Sequence, residues 1–197
     1  MPELHRRSPL EASLEVGRHG AGPPDDPGVN IAERRALSLV HVIARRGQEE
    51  AVAERLELDP APGRASGTPA GTALWLAPGA WMIIADNHED GALYQNLRPQ
   101  LQDLAAVIDQ GHGRVVLRLA GPRGRDVLAK GCRLDLHPRV FRPRMCAQTV
   151  IAHIAVLLHQ TDDAPTYDLY VPAGFALDFL AWLTSSAEEF GYRIGSA

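Results

Sequence analysis

Residues Gly111–Cys132, GHGRVVLRLAGPRGRDVLAKGC, decide how the rest of the chain reads. Val115, Leu117 and Leu119 alternate with Arg114, Val116 and Arg118, the period of a half-buried strand. Gly121-Pro122 then stops the strand and opens a short helix over Arg123–Lys130. Proline is tolerated at a first helical position because its missing N–H would be unpaired there anyway. Val127 and Leu128 give the helix a small apolar face. Lys130 suits its negative C-terminal end, and Gly131 suits a left-handed cap. A glycine-rich loop before a helix can cradle phosphate. Neither G-x-G-x-x-G nor G-x-x-x-x-G-K-S/T is present, so the unit reads as a βα corner of a mixed sheet.

Composition sets outer limits. The 197 residues carry 20 basic and 24 acidic side chains, a formal charge of −4, which argues against nucleic acid as the main partner. Hydrophobic residues make up 45%, enough for one large domain or two small ones sharing a core. Val150–Leu158 is the closest approach to a membrane span and is too short. The N-terminal MPELHRRSPLEASLEVG has no apolar signal core, so a cytoplasmic protein with no membrane partner is expected. Cys132 and Cys146 are too far apart for C-x-x-C and are expected as buried thiols.

Working outward, residues 1–30 read as an extended N-terminal arm, rich in Pro and Gly, in which Arg7-Ser8-Pro9-Leu10 offers one apolar anchor for docking on a partner. Residues 31–110 form a first half. Ala36–Ala44 reads as a strand and Gln48–Leu56 as a helix, while the Pro-, Gly- and Ser-rich Leu58–Ala70 reads as a loop. Leu74–Leu76 and Trp81–Ala85 flank the turn Ala77-Pro78-Gly79 as a hairpin. Leu93, Leu97, Leu101, Leu104 and Ile108 recur at helical spacing, with a break expected near Pro99 and a strand over Ala105–Asp109. Residues 111–197 form a second half. It has strands at Arg114–Leu119, Met145–Ala152, Ile154–Gln160 and Thr166–Val171, and a helix at Ala173–Ser185. Phe175, Phe179, Trp182 and Leu183 line one face of that helix. Two similar rounds of β-α-β-β elements indicate an α+β protein built from two ferredoxin-like halves, an internal pseudo-repeat.

Chemistry-bearing constellations are sparse. His112, His137, His153 and His159 lie near Cys132 and Cys146, but none has metal-ligand spacing, and core or surface histidines are expected. No G-x-S-x-G elbow occurs, and Ser185-Ser186 reads as a helix-end pair. Asp162-Asp163 is the best local acid pair, yet a polar hairpin turn is its ordinary home. Leu136–Thr161 holds no Asp or Glu, so the central strands of the second half lack a carboxylate general acid or base. Trp75 and Trp81 are expected to pack, with an aromatic interface patch as the alternative. No catalytic, cofactor-binding or metal-binding residue is therefore assigned.

These residues carry a family resemblance. Arg7-Ser8-Pro9-Leu10, Ala73–Trp81, Asp109–Cys132, Leu134–Pro138, Cys146–Thr149 and Tyr167–Pro172 resemble the gamma subunit of heterotetrameric sarcosine oxidase. A more distant similarity reaches the folate-binding T-protein of glycine cleavage. That family has an Asp-x-Ser-His turn where this chain reads Asp109-Gln110-Gly111-His112. The place of its strand aspartate falls near the apolar Ile154-Ala155. The resemblance implies a folate-binding-aminomethyltransferase-like domain without the carboxylate that assists one-carbon transfer. It implies a complex of alpha, beta, gamma and delta subunits that oxidises sarcosine to glycine with hydrogen peroxide and methylenetetrahydrofolate formation. FAD, FMN, NAD, zinc and tetrahydrofolate are then expected in the partner subunits, and this chain as a non-catalytic structural subunit packed on the large folate-domain subunit. The alternative is a stand-alone folate-binding or one-carbon-transfer module, in which Arg114 and Arg118 meet the folate glutamate.

Overall fold

The computed structural model describes residues 7–21, 27–86 and 91–195. Five strands, β3 (Leu37–Ala44), β4 (Ala65–Thr68), β5 (Gly71–Ala77), β6 (Ala80–Asp86) and β7 (Ala105–Asp109), form one sheet in the order β4-β5-β6-β3-β7. The other seven are β1 (Gly17–His19), β2 (Val29–Glu33), β8 (Arg114–Ala120), β9 (Met145–Ile151), β10 (Ile154–Asp162), β11 (Thr166–Pro172) and β12 (Tyr192–Ile194). Their order is β1-β12-β2-β8-β11-β10-β9. Helices α1 (Glu49–Leu56) and α2 (Ala92–Leu101) belong to the first half, α3 (Gly124–Ala129) and α4 (Ala176–Ala187) to the second.

The pseudo-repeat is visible in the strand order. β4-β5-β6-β3-β7 in one sheet matches β9-β10-β11-β8-β12 in the other, except that β2 is inserted between β8 and β12. Strand alternation assigns each face. Val40, Val42, Trp81 and Ile83 point toward α1 and α2. Val115, Leu117, Leu119, Leu169 and Val171 point toward α3 and α4. The opposite faces meet in a third cluster of Leu37, Leu39, Leu74, Met82, Ile84, Val116, Leu157 and Tyr170. The result is four layers, helix–sheet–sheet–helix, and the sheets join at one corner through the antiparallel bridge Arg64↔Met145.

Several expectations are corrected. The described part of the 1–30 segment is woven into the second half: β1 pairs with β12, and β2 pairs with β12 and β8. Residues 1–6 and 22–26 of that segment lie outside the described residues. Leu10 is fully buried in this chain's own core, beneath a turn closed by Ser13 N–H and Leu14 N–H donating to Leu10 O. The anchor therefore docks intramolecularly. Ser8 Oγ fixes it by accepting from Leu10 N–H and donating to the buried Glu33 carboxylate, whose other oxygen takes Arg35 Nε at 2.8 Å. Ser8→Ala is expected to cost about 1 kcal/mol in a denaturant melt, the usual net value of such a bond.

Other corrections are local. The expected loop 58–70 contains strand β4, whose sequence ASGT has no apolar alternation. Pro122 sits in the turn two residues ahead of α3 rather than inside it. Gly121 supplies φ +126 there, and a Cβ on it would lie 2.8 Å from Gly28 O, because β2 runs alongside. Gly131 lies outside the left-handed region; its role is clearance, since a Cβ would meet Trp182 Cζ2 at 2.6 Å. Phe175 is 52% exposed and precedes α4, while Phe179 and Leu183 are fully buried. Pro99 falls near the end of α2, which stops two residues later. Among the described residues no helix is long and apolar enough to cross a membrane.

Candidate functional site

One row of side chains crosses the seven-stranded sheet on the face turned to its partner sheet. The register aligns Ala32, Arg118, Asp168, His159 and Cys146 side by side on β2, β8, β11, β10 and β9. The neighbouring row, Val116, Tyr170 and Leu157, is apolar and belongs to the core between the sheets. The polar row therefore stands at the mouth of the inter-sheet space. Ser66, Gly67, Thr72, Ile84 and Asp86 face it from the other sheet, and Arg34 and Arg144 flank it. Together they line a cleft of about 420 Å³.

Asp168 is 1% exposed and both its oxygens are engaged. Arg118 clamps it with Nε on Oδ1 at 2.8 Å and Nη2 on Oδ2 at 2.9 Å, a fork-on-fork pair. Arg34 Nη1 donates to Oδ2 at 2.8 Å, and Arg34 Nη2 reaches Asp86 on the opposite sheet. The carboxylate thus holds two cations, one of which ties the sheets together. In return, hydrogen bonding to Asp168 lifts the Arg118 guanidinium still higher. His159 beside them is 8% exposed, and burial pushes it down to about 4, with Arg118 and Arg34 adding to the fall and Asp168 opposing it. The imidazole is neutral at physiological pH.

The sequence-derived candidates scatter. Arg118 is part-exposed and joins this row through Asp168; Arg114, on the same face, donates Nη1 to Tyr170 O at 3.3 Å. Asp162-Asp163 caps the exposed β10–β11 turn, Asp162 Oδ1 accepting from Ala164 N–H. His112, His137 and His153 are exposed, and His153 sits in a tight turn at φ 68 beside Ala152 at φ 49. Ile154 packs partly on the core and Ala155 is exposed, so neither the residue type nor the setting offers an acid. Ser186 is buried, its carbonyl accepting from Lys130 Nζ. Trp75 and Trp81 pair across β5 and β6 and pack in the cores. No group of three or more His, Cys, Asp or Glu residues able to hold a metal occurs among the described residues.

Both cysteines are free and buried. Cys146 is 1% exposed, its thiol lies 3.2 Å from Arg64 O, and burial pushes it up to about 11. The thiolate is the reactive form. In a Cys132→Ala background, Ellman's reagent at pH 8 is expected to leave Cys146 unreacted until denaturant is added.

Sequence reasoning missed Asp168, Arg34 and His159 as partners. The signal available was a lone acid inside the apolar strand Thr166–Val171, where a carboxylate survives only with a partner.

Comparison with known proteins places this arrangement. The sarcosine oxidase, gamma subunit family matches residues 42–189. A sarcosine oxidase subunit gamma of Corynebacterium sp. (strain U-96) is 36% identical over 94% of this chain and 91% of that protein. One from Arthrobacter sp. is 37% identical over 65% of this chain and 63% of that protein. Among solved structures, a chain of heterotetrameric sarcosine oxidase from Corynebacterium sp. U-96 superposes with a TM-score of 0.80 at 30% identity, covering 94% of this chain and 96% of its own. The glycine cleavage aminomethyltransferase T of Bartonella henselae matches at a TM-score of 0.69 and 14% identity, over 95% of this chain and 57% of that one, a likeness of fold alone. The chain belongs to the sarcosine oxidase gamma subunit family.

Proposed function

We propose that this chain is a structural subunit of a heterotetrameric sarcosine oxidase and performs no chemistry itself. The observation that carries this reading is the state of Asp168. A carboxylate acting as general acid or base needs an oxygen free to exchange a proton with a substrate. Here both oxygens are occupied by arginine N–H groups, and the neighbouring His159 is held neutral by burial. The row serves to lock two sheets together. The match to a chain of a heterotetrameric sarcosine oxidase over nearly the whole length supports the assembly role.

In this reading the complex oxidises sarcosine to glycine in the cytoplasm, releasing hydrogen peroxide and passing the methyl carbon to tetrahydrofolate. FAD, FMN, NAD, zinc and folate sit in the alpha, beta and delta partners, and the large folate-domain subunit is the chief contact. Ile43 and Ile108, 37% and 41% exposed and diagonal neighbours on one face of β3 and β7, support a subunit contact at that end of the five-stranded sheet. Expressed alone, the chain should show neither flavin absorbance nor sarcosine-dependent peroxide. Co-expressed with its partners, it should co-elute with the flavin. Peroxide formation by the isolated chain would refute the proposal, and saturable quenching of its tryptophan fluorescence by a folate would favour a binding module instead.

A further inference from the structure

We infer that the outer edge of β7 receives an extended segment of a partner subunit as a sixth strand, one that sets acidic side chains along α2 and apolar ones beside Ile108. The inference rests on the assembly reading and adds to it the surface and the backbone pairing through which the chain joins its partners.

β7 ends the five-stranded sheet and pairs on one side only, with β3. Antiparallel pairing sends the backbone groups of alternate residues to opposite sides. Arg45 N–H donates to Leu104 O and Gln110 N–H to Leu39 O at the two ends of the ladder, which sets the alternation. Ala106 and Ile108 therefore bond to β3, while Ala105, Val107 and Asp109 turn their N–H and C=O groups outward. Ala105 is buried, but Val107 is half-buried and Asp109 is exposed. Among the described residues no backbone group pairs with the outward side of Val107 or Asp109. Such a row is a template for another strand, and edges are normally blunted by proline, lysine, a bulge or a covering segment. The sequence AAVID has neither proline nor lysine, and its register runs without a shift. The edge of β9, by contrast, takes bridges from Arg64 and Cys132, and β4 is tied to Arg144 through Ala65 N–H. The counterpart of β7 in the pseudo-repeat is β12, and its equivalent edge is closed by β1, antiparallel, with Arg18 opposite Arg193. β1 shows within this chain what such an edge accepts.

What flanks the edge sets the chemistry of the added strand. A groove of about 560 Å³ runs between α2 and β7, lined by Ala105 and Val107 on the strand, Gln95, Arg98 and Gln102 along α2 and its end, and Arg45 just past β3. Its lining holds two cations and no acid. Neither arginine has an ion pair among the described residues: Arg45 Nη2 donates to Gln102 O at 3.3 Å, and Arg98 lies over the Tyr94 ring at 5.8 Å. Side chains of an added strand opposite Val107 face this groove, where carboxylates meet the guanidinium groups. The other face of β7 carries Ile108, 41% exposed beside Ile43, and the added strand meets it with apolar side chains. Acidic and apolar residues therefore alternate along the segment. A second copy of this chain does not fit. Antiparallel pairing of β7 with β7 brings both α2 helices to one face and sets Arg45 and Arg98 of each copy against the same cations of the other.

The test uses the full-length chain, alone and assembled with its alpha, beta and delta partners. Hydrogen exchange is followed residue by residue by mass spectrometry. In the isolated chain the Val107 and Asp109 amides should exchange faster than those of Ala106 and Ile108, which β3 holds. In the complex both outward amides should slow by about tenfold or more. Val107→Pro removes an outward N–H and no bond to β3, so the variant should fold and bind its partners with a dissociation constant raised about tenfold, the worth of one main-chain hydrogen bond. Arg98→Glu should weaken assembly by a similar factor, and Arg46→Glu, exposed outside the groove, by less than about twofold. Unchanged exchange at Val107 and Asp109 on assembly, or Val107→Pro or Arg98→Glu chains that bind as tightly as wild type, would overturn the inference and leave the assembly reading standing. A wild-type chain that never enters the complex would overturn both. An isolated chain that dimerises with the two amides already protected would overturn the inference in favour of self-pairing.

Discussion

Replacing Asp168 by alanine is expected to destabilise the chain by about 3 kcal/mol, because removing one partner of a buried ion pair strands the other charges. The cost stays near the lower end of that class because the cations retain some water: the Arg118 and Arg34 side chains are 38% and 22% exposed. The stranded groups are nonetheless held by the fold. Arg118 stands directly opposite Asp168 in the β8–β11 ladder, and Arg34 N–H is bonded to Val116 O at 2.8 Å. For a chain of this length about 3 kcal/mol corresponds to a fall in Tm of about 6–12 °C. Calorimetry checks it, with Asp163→Ala in the exposed turn as a control expected to stay within about 0.5 kcal/mol. A change below about 1 kcal/mol for Asp168→Ala, the worth of one ordinary hydrogen bond, would mean that the row does not brace the sheets.

The second large effect is a loss of stability in acid. His159 falls from an ordinary 6.5 to about 4 on folding. Between those values the unfolded chain binds a proton that the native chain refuses, so the unfolded state is favoured as pH drops. The contribution of His159 is fully present above pH 6.5 and lost as pH falls toward about 4. Its full size is about 3 kcal/mol, taking about 1.4 kcal/mol for each unit. The charged groups acting on the ring are Asp168, Arg118 and Arg34, the two arginines keep their charge throughout this window, and Cys146, opposite His159 on β9, stays a neutral thiol. Urea melts at a series of pH values should show this slope in the native chain and lose it in His159→Leu. Parallel slopes in both would assign the acid sensitivity to other groups.

Much of the architecture was legible because periodicity is local. The strand–turn–helix at Arg114–Ala129 followed from alternation and Gly121-Pro122, and so did the hairpin at Trp75 and Trp81. What was illegible is what depends on distant pairing. β4 lacks an apolar pattern, and β12 is only three residues long; each exists because a neighbouring strand supplies its hydrogen bonds. β2 does carry alternation in Val29, Ile31 and Glu33, but the Pro- and Gly-rich surroundings hid it, and nothing local said that it would slot between β8 and β12. The cleft was hidden for the same reason. Arg118 and Asp168 are 50 residues apart, and only the ladder register makes them neighbours. Leu136–Thr161 carries no acid, but β10 ends on the exposed Asp162 and the adjacent strand β11 carries Asp168. There an acid is buried, and its engagement by two arginines gives it a bracing role.

That distinction can be measured in the assembled oxidase. Arg118→Leu, Asp168→Leu and Arg34→Met together replace the ion-paired row with apolar side chains, a change that buried ion pairs often tolerate without loss of stability. Reconstituted with the partner subunits, this triple variant is predicted to enter the complex at wild-type stoichiometry and to leave sarcosine-dependent kcat within about twofold, well below the effect of removing a general acid or base. A complex that assembles normally yet loses about a hundredfold or more in kcat would contradict a structural role and make the row part of the chemistry.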